Sequence, residues 1–174
     1  MKRNLLMMAF VASLFLLISC KKGDDGVPGK PGTANVRYSE WFTPNPYKKD
    51  TLFGVYGFSY LKDAPGITQQ VLDSGMVVTF AKLKGYNPLI WPAEQVGQLP
   101  ISLTYQQGSI MTDTWSATVT AGSIKIRFVN DKNYYASIAS THQFRYIIVP
   151  GGLAGGRSRP LTYSELCAKY DIPE

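Results

Sequence analysis

The stretch Thr114-Trp115-Ser116-Ala117-Thr118-Val119-Thr120, followed by Ala121-Gly122 and then Ser123-Ile124-Lys125-Ile126-Arg127-Phe128-Val129-Asn130, decides the fold. Trp115, Ala117 and Val119 alternate with Ser116, Thr118 and Thr120. Beyond the turn, Ile124, Ile126 and Phe128 alternate with Lys125 and Arg127. Side chains on a strand point to opposite faces in turn, so this pattern predicts an antiparallel hairpin with one face in a core and one in water. Further runs of β-branched and aromatic residues, set off by Gly, Pro, Asn and Asp, predict strands at 35–42, 53–61, 76–84, 99–105 and 143–149, with 134–138 as a weaker extra. Seven or eight such strands in one chain imply an antiparallel β-sandwich. The segment from Phe144 to Val149 is apolar on both faces except at Arg145, which suits a central strand covered on both sides. Arg145 then needs a partner.

Two short helices interrupt the strands. Residues 68–74 read as one or two turns, started by Thr68 or by the turn at Gly66 and stopped by a left-handed Gly75. Thr162-Tyr163-Ser164-Glu165 is a capping box, followed by about two turns to Tyr170, with Leu166 and Tyr170 on one face and Pro173 preventing continuation.

The chain has 174 residues, 45% hydrophobic and 17% charged, with one His and two Cys. That length fits one domain with one sizeable core, and a His/Cys metal site is excluded by count. Three parts follow: residues 1–19, residues 20–34 and a folded domain at 35–174. Met1-Lys2-Arg3 is a short positive leader, and Leu5 to Ile18 is apolar apart from Ser13. A run this short falls within the range of an export signal and below that of a transmembrane helix. It ends in Leu17-Ile18-Ser19-Cys20, which resembles the bacterial lipoprotein lipobox at all four positions. The resemblance implies that Cys20 is alkylated with diacylglycerol, that residues 1–19 are cleaved away, and that an acyl chain such as palmitate is added to the freed amine. Membrane lipid is then the first partner, held through two or three chains at about 0.8 kcal/mol per buried CH₂. No Asp follows Cys20, which favours the outer membrane. Lys21-Lys22-Gly23-Asp24-Asp25 resembles the charged surface-export signal of Bacteroidota lipoproteins, although a plain solvated leader reads the same way.

From Gly23 the chain runs Gly-Asp-Asp, Gly-Val-Pro, Gly-Lys-Pro, Gly-Thr-Ala, four triplets in collagen register. Glycine recurs where three polyproline helices would crowd their axis, but four triplets serve equally as a monomeric extended tether. Together with Gly-Thr-Ala-Asn-Val at 32–36, Ile-Thr-Gln-Gln-Val-Leu-Asp-Ser-Gly at 67–75 and Phe-Arg-Tyr-Ile-Ile-Val-Pro-Gly-Gly at 144–152, this order resembles uncharacterised, collagen-like Bacteroidota surface lipoproteins. That group carries no catalytic assignment.

The candidate chemistry is sparse. The segment from Gly151 to Ser158 has the spacing of a phosphate-cradling loop, but Arg157 replaces its lysine and Pro160 stands where its helix must begin. It reads instead as a Gly-rich surface loop presenting Arg157 and Arg159 to an anion or acidic glycan. His142 is the only histidine and reads as a core or strand-edge residue. Cys167 has no partner once Cys20 is acylated and reads as a buried small hydrophobe. Glu40, Glu94, Asp113 and Asp131 are scattered, with no pairing visible. Trp91 shares a long loop with Tyr86, Asn87 and Pro88, where it either stacks on sugar or anchors the loop by packing. Asp50-Thr51-Leu52 matches an O-glycosylation acceptor pattern with Thr51 in a loop. Removing Lys2 and Arg3 takes the formal charge from +6 to +4, too mild to imply nucleic acid, and no nucleotide or cofactor is expected. The expectation is a lipid-anchored surface protein, non-catalytic, acting as a binding or structural module. Its partner would be an envelope protein or a polysaccharide. The alternative is a glycan-binding accessory protein using Tyr86, Trp91, Arg157 and Arg159, and an envelope or polysaccharide hydrolase is the third class.

Overall fold

The structure is a computed structural model and describes residues 35–151 and 161–174. Among these residues, nine strands form two antiparallel sheets packed face to face. They are β1 (Arg37–Tyr38), β2 (Lys48–Leu52), β3 (Val55–Asp63), β4 (Met76–Lys82), β5 (Val96–Gln98), β6 (Ile101–Gln107), β7 (Ser109–Thr120), β8 (Ser123–Asn130) and β9 (Gln143–Val149). One sheet has the order β1-β9-β4-β5 and the other β2-β3-β8-β7-β6. Helices α1 (Gln69–Ser74) and α2 (Tyr163–Tyr170) complete the fold.

The hairpin read from alternation is β7–β8, paired from Asp113↔Asn130 to Thr120↔Ser123. Trp115, Ile124, Ile126 and Phe128 are each at most 1% exposed and form the inner face with Phe58 and Phe144. β9 and β4 are central and covered on both sides. Phe144 and Ile148 of β9 point into the sandwich. Val78, Phe80, Ile147 and Val149 point the other way, under Leu166 and Cys167 of α2 and Ile172 beyond it. Cys167 is thus a buried, free thiol in an apolar layer.

The partner that Arg145 requires lies in this outer layer. Its side chain is 2% exposed and donates to Ser39 O at 3.1 Å, to Tyr163 Oη at 2.9 Å and to Pro173 O. Its guanidinium also sits 5.3 and 5.1 Å from the ring centres of Tyr38 and Trp41. Carbonyl dipoles and aromatic faces stand in for a carboxylate, and the planar guanidinium suits both. This contact joins the first strand, a central strand and the C-terminal segment.

Several sequence expectations need correction. The strand expected at 35–42 is Arg37–Tyr38 plus an isolated bridge Phe42↔Phe144. Three residues, 39–41, oppose two, 145–146, so the strand bulges there, and Ser39 Oγ accepts from Tyr146 N at 3.1 Å in place of regular pairing. Residues 53–54 are not strand but the two-residue turn of a β2–β3 hairpin, with φ of 50° at Phe53 and 80° at Gly54. Gly75 is extended (φ −108°, ψ −158°) rather than left-handed. Glycine is needed there because a Cβ would stand 2.6 Å from Val149 O and 2.9 Å from Val71 O. Residues 134–138 pair with no strand and belong to a loop. The capping box holds as expected: Thr162 Oγ1 accepts from Glu165 N and Glu165 Oε2 accepts from Thr162 N, and α2 closes on a left-handed Asp171 with φ of 53°.

Register fixes which loops share an end. Arg37 lies opposite Ile148 and donates to Gly66 O at 2.9 Å, while Ala64 N donates to Gly122 O at 2.8 Å. The entry of the chain at Asn35, the β7–β8 turn and α1 therefore gather at one end. The β2–β3 and β6–β7 turns and the loops 83–95 and 131–142 gather at the other; Tyr56 N donates to Asn133 Oδ1 there at 2.7 Å.

Candidate functional site

A cavity of about 440 Å³ opens at the end remote from Asn35. Loop 83–95 supplies Tyr86 and Ile90, β6 supplies Tyr105, β7 and β8 supply Trp115 and Phe128, and loop 131–142 supplies Tyr135 and His142. Its size lies in the range of small-molecule sites.

Beneath this lining is Asp113, 0% exposed. Asp113 continues the inward alternation of β7 two residues before Trp115, with Met111 two before that. Its Oδ2 lies 2.8 Å from Tyr86 Oη, 3.0 Å from Tyr105 Oη and 3.3 Å from Tyr135 Oη, and its Oδ1 accepts from Asn130 Nδ2 at 2.8 Å. Asn130 is oriented by Oδ1, which accepts from the backbone amides of Lys132 and Tyr134 at 2.9 and 3.1 Å. Every group on Asp113 is a neutral donor, and none of the ion pairs among the described residues includes it.

The hydrogens can be counted. Tyr86 Oη accepts from Trp115 Nε1 at 3.0 Å and gives its own hydrogen to Asp113. Tyr105 and Tyr135 are 2.6 Å apart and own one hydroxyl hydrogen each. Whichever of the two gives its hydrogen to the other, the second gives its own to Asp113 Oδ2. All three hydroxyl hydrogens are thereby engaged, and what these hydroxyls can offer the cavity is lone pairs. Burial, with the Asp113 charge adding to it, raises the ionisation of Tyr86, Tyr105 and Tyr135 above the ordinary phenol value, so the hydroxyls stay protonated.

His142 is buried with its ring centre 4.5 Å from that of Trp115. Its Nδ1 accepts from Lys84 N at 3.1 Å, which leaves the proton of the neutral ring on Nε2. Burial pushes its pKa down to about 4. Lys84 Nζ is engaged with Glu94 on the surface. The cavity thus has a buried anion, a set of aromatic rings and a neutral histidine.

Of the residues singled out from sequence, the structure brings Tyr86 and His142 into this cavity. Trp91 is not an exposed platform: it is 7% exposed and packs in the core over Gly97, whose Cβ would stand 2.5 Å from the indole. It anchors its loop by packing, because Gly97 leaves room for the ring. Thr51 is exposed but lies on edge strand β2 opposite Tyr56, not in a loop. Glu40 is exposed, Glu94 is paired with lysine, and Asp131 Oδ1 accepts from Thr112 N at 2.8 Å. Cys20, Arg157 and Arg159 lie outside the described residues. Tyr105, Tyr135 and Asn130 were not singled out from sequence; the parity of Asp113 with Trp115 is the signal that points toward them. Among the described residues no three His, Cys, Asp or Glu side chains group as a metal site, and no helix is long and apolar enough to cross a membrane. Comparison of the chain with protein-family models, curated proteins and solved structures gives no match.

Proposed function

We propose that this is a lipid-anchored outer-membrane protein, displayed at the cell surface, whose sandwich is a non-catalytic binding module with the Tyr86–Tyr105–Tyr135 cavity as its ligand site. The observation that carries the binding reading is a cavity of about 440 Å³ whose polar floor is fully organised around the buried Asp113. The polarity of the fold supports the anchored reading, since the chain enters the domain at Asn35, at the end remote from the cavity. The lining includes no Asp or Glu, which favours binding over the paired-carboxylate chemistry of a glycosidase.

Glycan binding is the second reading. It rests on Tyr86, Tyr105 and Tyr135 alongside the amides of Asn87, Gln106 and Gln107 at the same cavity, and it no longer draws on Trp91.

Two experiments test these readings on the full-length protein expressed in a Gram-negative host. Acyl-label incorporation should vanish in Cys20→Ala; undiminished labelling overturns the anchor. The purified lipoprotein, screened against envelope polysaccharides and peptides, should retain a ligand that Ala139→Trp, which puts a bulky ring on the cavity lining, abolishes. Absence of any ligand, or one indifferent to that substitution, defeats the cavity as the binding site.

A further inference from the structure

The chemistry of the cavity floor goes further than its shape. Resting on the reading of the cavity as a ligand site, we infer that its ligand carries an ammonium group, seated among the rings of Tyr86, Tyr105 and Tyr135 above the buried Asp113.

Three features agree on a cation. First, the tyrosine hydroxyls present only lone pairs, since their hydrogens are spent between Tyr105 and Tyr135 and on Asp113. A ligand there must bring donors, and an ammonium has donors or, if quaternary, a diffuse positive surface and no acceptor. Second, aromatic rings from three separate segments surround the space: Tyr86 and Tyr105 are edge-on with centres 6.4 Å apart, and Tyr135 is edge-on to Phe128 at 5.4 Å. Ring faces attract cations, most strongly where water is excluded. Third, Asp113 holds a buried negative charge with neutral donors only, so its field reaches the cavity without a neutralising partner among the described residues. The two basic side chains of the rim do not oppose it. Lys84 is drawn to Glu94, and His142 has Nδ1 engaged with a backbone amide.

Such a group arises on a free small amine or on an amino sugar of a polymer, and the shared element is the ammonium. The experiment therefore uses matched pairs on the full-length lipoprotein in detergent, read by intrinsic tryptophan fluorescence, to which Trp115 of the lining contributes, and by calorimetry. Choline is compared with its neutral carbon isostere dimethylbutanol, and glucosamine, held below its amine pKa, with N-acetylglucosamine. The expected result is binding of the charged member of at least one pair and a tenfold or greater loss for its neutral counterpart. Choline alone would mark a free amine, and glucosamine alone a sugar-borne one. Asp113→Asn should lose at least tenfold in affinity for the charged probe, and Tyr135→Leu, which leaves Asp113 its other donors, should weaken it severalfold if the first variant does not fold. Equal binding of charged and neutral members overturns the ammonium while leaving the binding module standing. Binding of N-acetylglucosamine alone does the same and favours a neutral glycan. No binding of any probe also overturns the ammonium, and the module then stands or falls on the Ala139→Trp comparison.

Discussion

Asp113 and Arg145 are the two most deeply buried charged side chains among the described residues, at 0% and 2% exposure, one in each sheet. Neither has a countercharge among the described ion pairs, and each is held by neutral dipoles of the matching sense. Arg145 gives hydrogens to two carbonyls and a tyrosine hydroxyl, while Asp113 receives them from tyrosines and an amide. They differ in what lies next to them. Arg145 is sealed beneath the C-terminal segment, whereas Asp113 lies under a cavity that admits water or a ligand. A sealed charge with saturated partners ties elements together; a charge beside open space also acts on whatever enters. The pair therefore separates a structural use of a buried charge from one available for recognition.

The largest effect should come from the sealed side. Arg145→Ala removes the hydrogen bonds to Ser39 O, Tyr163 Oη and Pro173 O and releases the residues after α2. Hydrogen bonds made by a charged group contribute about 1.5–3 kcal/mol each, so losing this set should cost at least about 3 kcal/mol. The denaturant midpoint should fall accordingly, with proteolysis beginning within 171–174. A loss below about 1 kcal/mol would break the comparison, because Arg145 would then not be the bolt that its contacts describe.

Acid should act on the other side. Between the ordinary histidine value of 6.5 and the folded value of about 4 for His142, the unfolded chain takes a proton that the folded chain refuses. The contribution of His142 is therefore intact above pH 6.5, falls as pH drops through this window and is spent below about 4, a loss of about 3 kcal/mol. The groups facing the ring are Tyr86, Trp115 and the Lys84 amide. Hydrogen exchange should show loops 83–95 and 131–142 opening first on acidification, with β9 and α2 keeping protection. His142→Gln should flatten the slope. Asp50, held below the ordinary carboxylate range by its bond to Arg127, would add its own loss only at lower pH.

Asp113→Asn should cost less than Arg145→Ala, about 2 kcal/mol, because water in the cavity can take up the tyrosine hydrogens that Asp113 releases. Thermal unfolding of both variants in one buffer checks the order. If Asp113→Asn were the more damaging, the cavity would be as sealed as the Arg145 site.

How legible these sites are in the sequence depends on which neighbour sets the pattern. The β7–β8 hairpin was legible because its inward residues are large and apolar and its outward ones polar. The same parity carries on to Asp113, but hydropathy alone reads an acid at an inward position as an interruption. Arg145 was legible as a problem, since a lone charge in an apolar strand needs a partner, while the carbonyls that solve it leave no side-chain signature. β2 escaped notice because Lys48, Lys49 and Leu52 are exposed on an edge strand, where no core imposes alternation. Tyr134 to Ile138 has strand-like composition, yet Tyr135 is spent on a hydroxyl contact to Tyr105 rather than on a ladder. Trp91 illustrates the reverse case: loop residues suggested exposure, and the glycine that admits its ring belongs to a strand, β5, too short to read.

The smallest effect concerns strain, which also divides the two regions. Of the non-glycine residues with positive φ, Phe53 and Asn133 lie at the cavity end, and Asp171 caps α2. Asn133 and Asp171 are residue types that tolerate this backbone, and Asn133 Nδ2 donates to Gly54 O at 2.7 Å. Phe53 has neither excuse: its side chain is fully exposed and its φ is 50°. Asn-Gly is the pair that a two-residue hairpin turn favours. Phe53→Asn should therefore stabilise the domain by roughly 0.5–1 kcal/mol, seen as a small rise in the thermal midpoint. Affinity for the charged probe should not change, because Phe53 does not line the cavity. A weaker probe affinity in this variant would extend the recognition surface from the Asp113 cavity to the β2–β3 tip, and would place the strained turn on the functional side of the comparison.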